Sequence, residues 1–440
     1  MDKKLVVMFF PKLEPYKDFH YMPISLLSVA APLLRAGFEC KIVDERIEYN
    51  IFDSLNRCLP NASCLLITAY TGYQVQGAYK TARYVKQNYP NVKIIWGGPH
   101  VTHLPEQSIE SDFVDIVLWG YAESSIVDLI AAVNSGKDMS NVYNLYYYKD
   151  NKVYETPKTS NIDPKTFSNM PYDLVDPLKY INPVTKRFIY VSTYGCPGVC
   201  TFCATKTRRK WLLLDIEKVK RDISNLMSKY DYKECVFFDA TLFTFKERAL
   251  ELSEIMKKFD IEWIADARSQ EIYNVGEDML GQLVKNGLKG ITVGLETGSE
   301  HVVNIMKKGK DHLFKFKKSA EKLNKFNIKL MSGVIFGCPG ETIDDLRQTI
   351  AYIKNIRRIN PNFFISSTFF QPLPDTVLFD VVKQKGHKSP GSLEEWAKLG
   401  DSSHYRYNEW MDNPWMQELN LEEYKAIYEE FTLENKEMFM

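Results

Sequence analysis

The chain has 440 residues, 45% of them hydrophobic and 25% charged, the make-up of a soluble globular protein of two or three domains with ample core material. Its 56 basic residues balance 56 acidic ones, so the bulk charge offers no argument for a nucleic-acid partner or an anionic membrane surface, and only a local basic patch such as Lys206 to Lys210 is left as an opening for one. No apolar stretch approaches the length of a membrane span, Leu5–Phe10 is too short for a signal-peptide core, and eight cysteines in so long a chain make no disulfide framework, so a reducing, cytoplasmic location is expected.

From the N-terminus, strand-like runs alternate with amphipathic helical stretches, the pattern of parallel α/β architecture. The first series takes Leu5–Phe10, Lys41–Asp44, Cys64–Ala69, Lys93–Trp96 and Asp115–Trp119 as strands, with helices over Ile24–Arg35, Val75–Tyr89 and Ser124–Asn134. Five such strands predict a doubly wound sheet over residues 1–145 that takes its ligand beyond the strand C-termini. The paired glycines Gly97 and Gly98 after the fourth strand let a bulky ligand tail approach the backbone, although Gly-Gly after a strand is usually just a turn. No G-x-G-x-x-G follows the first strand, which disfavours a nicotinamide or flavin site. Residues 146–185 lose the rhythm and carry Pro157, Pro164, Pro171, Pro177 and Pro183, reading as a linker.

The second series starts at Phe188 and continues through Cys235–Phe238, Trp263–Ala265, Gly290–Gly294, Leu330–Phe336 and Phe363–Phe370, with a helical stretch after each of the first five. Six β/α steps over residues 186–380 predict a partial barrel, short of a closed eightfold one. Residues 381–440 form a mixed tail without clear period until a charged helix near Leu421–Glu430. With Trp396, Trp410 and Trp415 this tail could close the bottom of the barrel and shape a substrate pocket, while buried packing is the first expectation for any one of the three.

Just past the first barrel strand runs Tyr194-Gly195-Cys196-Pro197-Gly198-Val199-Cys200-Thr201-Phe202-Cys203. Three thiolates in one loop hold three irons of a 4Fe-4S cluster and leave the fourth open for chemistry. The strand C-termini are also where parallel barrels build active sites. A structural zinc ion, the alternative, wants four protein ligands, and the next histidine downstream is His301. Cys40, Cys58, Cys64, Cys235 and Cys338 read as packing residues.

This cysteine spacing, with Phe202 before the third cysteine, resembles the signature of the radical SAM superfamily. There S-adenosyl-L-methionine chelates the open iron and yields a 5'-deoxyadenosyl radical. Other strand ends extend the likeness. Gly294-Leu295-Glu296-Thr297-Gly298-Ser299 resembles the family's G-x-E-S-G-S stretch, Gly333–Gly337 with Pro339-Gly340-Glu341 resembles the fifth-strand pattern along adenine, and Gln371–Thr376 resembles the sixth-strand ending. The resemblance implies Phe202, Asp239, Arg268, Glu296, Gly337 and Gly340 as S-adenosyl-L-methionine contacts, with Asp239 near the methionyl amino group and Arg268 near ribose and carboxylate. It singles out no acid–base residue.

Trp96–Thr102 and Val117–Glu123 resemble the cobalamin-binding domain that precedes the barrel in one branch of that superfamily. The expected fold class is therefore α/β, a Rossmann-like cobalamin-binding sheet followed by a partial (β/α)6 radical SAM barrel. The familiar cobalt-ligating pattern of cobalamin domains, D-x-H-x-x-G, meets Asp18-Phe19-His20-Tyr21-Met22-Pro23, with Pro23 in place of glycine; many members of the radical branch lack that histidine, and the alternative for His20 is a loop histidine that caps the next helix. His20, or else Tyr70, Thr71, Tyr73 and Gln74, would face the lower side of cobalamin, alongside Gly97, Gly98 and Gly120. The resemblance implies a methyltransferase acting on an unactivated carbon of a small-molecule or peptide substrate, served by an external electron donor such as flavodoxin or ferredoxin. A cyclase or rearrangement enzyme on the same cofactors is one alternative, and a non-catalytic cobalamin-binding regulator with a structural cluster is another. A methylthiolating enzyme would bring three more cysteines upstream, and Cys40, Cys58 and Cys64 lack that compact placement.

Overall fold

A computed structural model describes residues 5–12, 21–159, 167, 169–205, 211–399 and 412–439. Met1–Pro183, Leu212–Tyr230 and Ser389–His404 cluster as one unit, and Val184–Trp211, Asp231–Lys388 and Tyr405–Met440 as the other. Among the described residues no helix is long and apolar enough to cross a membrane.

In the first unit the strands β1 (Leu5–Phe10), β2 (Glu39–Asp44), β3 (Ala62–Thr68), β4 (Lys93–Gly97) and β5 (Ile116–Leu118) pair in parallel in the order β2-β1-β3-β4-β5. Every residue of β3 is buried, and Val6 to Phe9 of β1 are fully so. Parallel strands covered on both faces need such unbroken apolar runs, which is why the sequence marked them. The order reverses between β1 and β3, which makes the edge beyond their C-termini the ligand position of this topology.

Residues 146–185 do not begin as a linker. β6 (Leu145–Lys149) and β7 (Lys152–Glu155) form an antiparallel hairpin that extends the sheet from β5. Its two-residue turn puts Asp150 and Asn151 at φ +52° and +59°, the left-handed pair whose twist suits a hairpin. Tyr146 and Tyr147 supply the strand-forming side chains opposite Val117 and Ile116.

Trp396 takes the packing role expected of any one of these tryptophans, but in the first unit. Its helix, Leu393–Leu399, packs in the core of the first unit with Trp96, Val101 and Tyr146, and not in the barrel. The indole Nε1 donates to Gln107 Oε1 at 2.8 Å, and its ring meets His100 edge-on at 5.5 Å. Trp410 lies outside the described residues.

The second unit carries β8 (Arg187–Tyr190), β9 (Glu234–Phe237), β10 (Glu262–Ala267), β11 (Leu288–Val293), β12 (Lys329–Phe336) and β13 (Phe363–Phe369). Each pairs in parallel with its sequence neighbour, and β8 and β13 end the sheet, the open six-strand barrel expected from the six β/α steps.

Candidate active site and cofactor faces

The cysteine loop follows β8 at the end where all the barrel strands finish. Cys196, Cys200 and Cys203 are each partly exposed. Gly198 sits between them: its N–H donates to Cys196 Sγ at 3.3 Å, and a Cβ there would stand 3.3 Å from Cys196 Sγ and 4.0 Å from Cys200 Sγ. Phe202, between the second and third thiols, is half-buried. Three thiols with a backbone N–H on sulfur suit a 4Fe-4S cluster, whose potential such hydrogen bonds tune. Among the described residues no three His, Cys, Asp or Glu side chains gather tightly enough for a single metal ion, and His301 Nδ1 lies 2.9 Å from Asp345 Oδ2.

Two residues fix this loop. Thr201 donates through N–H to Met306 O at 3.1 Å and through its hydroxyl to Ile305 O at 2.8 Å, docking the loop on the end of the helix Glu300–Met306. Asp239 is fully buried just past β9 and accepts four hydrogen bonds, from the N–H and hydroxyl of Ser192 and of Thr193, at 2.5 to 2.9 Å. Its carboxylate is spent on the chain leading into the cysteines, so it is not free for the methionyl amino group it was expected to meet. Thr201 was not singled out in the sequence, because a threonine between cysteines carries no signal until its partners are known.

The barrel lumen can be read from strand alternation. Val236, Ile264 and Met331 pack together as its floor, and a Cβ on Gly290 would touch Met331 and Ile264. Two residues further along each strand come Phe238, Asp266, Thr292 and Gly333, all partly open, and beyond Asp266 comes Arg268. Burial pushes the Asp266 carboxyl up to about 6, helped by the charge of Asp239 and opposed by a hydrogen bond from Thr292.

Glu296 stands at the mouth of this lumen in a left-handed conformation, φ +65°, rare for a residue with a side chain. The strand bridge to Val334 holds it there, through Glu296 N–H to Gly333 O at 3.0 Å and Ile335 N–H to Glu296 O at 2.8 Å. Its carboxylate pairs with Lys308 at 3.0 Å in the space left by two absent side chains. A Cβ on Gly294 would meet Oε1 at 2.5 Å, and one on Gly333 would meet Oε2 at 3.5 Å. Lys308, Arg268 and Glu296 all act electrostatically on Cys200, which ties the four together. Burial is the main cause that pushes the Cys200 thiol up. His312 donates from Nε2 to Leu295 O at 2.9 Å and takes the Ser269 hydroxyl at Nδ1, and burial pulls it down to about 4, so it steadies the Glu296 backbone as a neutral ring. Lys308 and His312 escaped sequence reasoning because they lie on the connection after the motif.

The turn after β12 is gripped from the C-terminal segment. Gly337, at φ +67°, shares its N–H between Glu341 Oε2 at 2.5 Å and the Tyr424 hydroxyl at 3.0 Å, while its carbonyl accepts from Trp415 Nε1 at 3.0 Å. Trp415 is therefore a brace for the turn expected along adenine. Gly340, at φ +88°, closes the same turn. Glu341 is buried with its Oε1 unpartnered among the described residues, and burial pushes its carboxyl from 4.5 up to about 8. A folded-state pKa raised this way contributes stability that is present in full below the ordinary value and is lost as pH rises through about 8. Glu341→Gln is expected to cancel this: melting temperatures of wild type and variant, measured from pH 5 to pH 8.5, should diverge in favour of the variant as pH rises. Parallel curves would remove the assignment.

On the first unit, the ligand edge carries the other predicted residues. Tyr70 is 51% exposed. Thr71 meets His100 Nδ1 at 3.1 Å, and Tyr73 opens the helix Tyr73–Asn88. Gln74 is buried, with Nε2 donating to Pro11 O and Oε1 accepting from Tyr70 N–H, so it ties two loops together and does not face a ligand. Thr102 joins the glycine turns, donating to Gly98 O at 2.8 Å and accepting from Gly120 N–H at 3.1 Å. Around Gly120 nothing lies within 4 Å of a built Cβ, and at Gly97 only Leu118 O does, at 3.8 Å. These open glycines are a cradle that suits a bulky corrin. Gly98 is different: at φ +92° its Cβ would strike Thr68 Oγ1 at 2.6 Å and Ala69 N at 2.9 Å. Gly98→Ala is expected to destabilise the unit by about 2 kcal/mol or more, read as a lowered melting temperature, whereas Gly97→Ala should cost under about 1 kcal/mol. His20 lies outside the described residues.

Residues 190–353 match the family model of the Radical SAM superfamily, and residues 18–130 that of the B12 binding domain. An uncharacterized methyltransferase of Pyrococcus horikoshii is 27% identical over 366 residues, covering 80% of this chain and 77% of that protein. The anaerobic magnesium-protoporphyrin IX monomethyl ester cyclase of Rubrivivax gelatinosus is 26% identical over 380 residues, covering 82% of this chain and 67% of that protein. Among solved structures, the radical S-adenosylmethionine methyltransferase TsrM from Kitasatospora setae, with cobalamin and a 4Fe-4S cluster bound, aligns with a TM-score of 0.72 at 14% identity over 88% of this chain and 79% of that one, a likeness of fold.

Proposed function

We propose that this chain, which belongs to the cobalamin-dependent radical SAM enzymes, is a methyltransferase among them and methylates an unactivated carbon of its substrate. When bound, the 4Fe-4S cluster and S-adenosyl-L-methionine supply the radical that opens a C–H bond, and cobalamin supplies the methyl group. Cys196, Cys200 and Cys203 would hold the cluster, with Phe202 beside it and Asp239 and Thr201 keeping the loop in place. Arg268, whose guanidinium enters no ion pair among the described residues, would take the carboxylate of S-adenosyl-L-methionine. The Glu296–Lys308 pair would bind its polar groups, and the turn at Gly337 and Gly340 would lie along the adenine. On the first unit, Gly97 and Gly120 would cradle cobalamin on the turn that Gly98 makes, with Tyr70, Thr71 and Tyr73 at its lower face. An external donor such as flavodoxin or ferredoxin would deliver the electron, in the cytoplasm, where eight free cysteines and an oxygen-sensitive cluster can persist.

The observation that supports this reading best is the three-thiol loop beside Arg268 and the Glu296–Lys308 pair at the mouth of an open lumen. The experiment is anaerobic incubation of the reconstituted full chain with cobalamin, dithionite, S-adenosyl-L-methionine labelled at its methyl carbon, and a small-molecule extract. The expected result is release of 5'-deoxyadenosine with label on a carbon of one product. Release without labelled product would favour the ring closure that the Rubrivivax relative's name describes, and an inert complex would favour a regulator.

A further inference from the structure

Resting on the methyltransferase reading, we propose that Asp266 anchors the substrate in the barrel lumen and that the substrate is a protonated amine with an apolar body. The other buried carboxylates of this unit that carry a charge are already occupied. Asp239 takes four donors, Glu271 takes the hydroxyls of Thr241 and Thr244 and the Arg268 N–H, and Asp345 takes Ser299, His301 and Thr342. Glu296 has Lys308. Asp266 has the Thr292 hydroxyl, its register partner on β11, and no cation among the described residues. It is also placed where a ligand can arrive. It lies one step above the floor of Val236, Ile264 and Met331, on the same face as Phe238, which is 51% exposed at the end of β9.

An acid left with one neutral donor in a partly dry lumen is an incomplete arrangement. Burying a charge without a partner is costly, and a ligand ammonium that supplies the partner gains a charge-assisted hydrogen bond in a low dielectric. The nearby charge of Asp239 adds to the attraction for a cation. With its pKa near 6 the acid is mostly ionised at neutral pH, as ammonium recognition requires. The apolar floor and Phe238 favour a hydrophobic body on the same molecule. The carboxylate of S-adenosyl-L-methionine would find its counter-charge at Arg268, two residues further along the chain, and S-adenosyl-L-methionine affinity in Asp266→Asn separates Asp266 binding the substrate from Asp266 binding the cationic groups of S-adenosyl-L-methionine.

The test uses the full chain reconstituted with cluster, cobalamin and S-adenosyl-L-methionine, and a matched probe pair, 2-phenylethylamine and 3-phenylpropionate, followed by saturation-transfer NMR. Wild type should bind the amine and not the acid, and Asp266→Asn should weaken amine binding at least about tenfold while S-adenosyl-L-methionine affinity and iron–sulfur absorbance stay unchanged. Phe238→Ala is the second variant, on a different strand, and should weaken the same amine at least about threefold. The proposal is overturned if no amine binds wild type, if Asp266→Asn binds it equally, if the acid binds as well as the amine, or if Asp266→Asn loses S-adenosyl-L-methionine instead. Failure of the methyltransferase reading shows separately, as wild type that releases no 5'-deoxyadenosine or takes up no cobalamin.

Discussion

Cys196→Ala, Cys200→Ala and Cys203→Ala are each expected to remove the visible iron–sulfur absorbance and to lower 5'-deoxyadenosine release by at least about a thousandfold. Each thiolate would serve a separate iron, so no neighbour could stand in for the one removed. The loop itself should survive, because Thr201 and the chain at Ser192 and Thr193 hold it through hydrogen bonds in which the thiols take no part. Cobalamin uptake should be unaffected, since the glycine turns of the first unit owe nothing to these cysteines. Full iron content in any one variant would show that the loop is not the ligand set.

Asp239→Asn should be the most damaging substitution outside the cysteines, although it is nearly isosteric. The carboxylate is met by four donors, and an amide presents a single acceptor oxygen and turns its own N–H groups toward the rest. Leaving buried donors at Ser192 and Thr193 without acceptors costs about 3 kcal/mol or more. The change should appear as a lowered melting temperature and as faster bleaching of the iron–sulfur absorbance on warming. If neither moved, Asp239 would not be what holds the approach to the cysteine loop.

What the sequence reveals depends on how local the physics is. The cysteine loop is legible because three cysteines fall within eight residues, and the strands of both sheets are legible because burial on two faces demands uninterrupted apolar runs. The hairpin at β6 and β7 was hidden by the prolines beyond it, although the Asp150-Asn151 turn was there to be found. Asp239 and Asp266 look alike on paper, each an acid closing an apolar strand. Register alone decides that the first turns into the chain while the second opens into the lumen. Trp396 and its partner Gln107 are 289 residues apart, a separation that no window on the sequence spans.

The seat of Trp396 bears on how this molecule can be dissected. A gene truncated after Pro183 would seem to deliver the corrin-binding half intact, yet it would lack Leu393, Trp396 and Ala397, which fill that half's own core. Such a fragment would expose apolar surface where an indole belongs, at about 3–5 kcal/mol, and would tend to aggregate rather than bind. The ribosome must finish most of the second half before the first can be sealed, so the first cannot be expressed whole as one stretch of DNA that stops at Pro183.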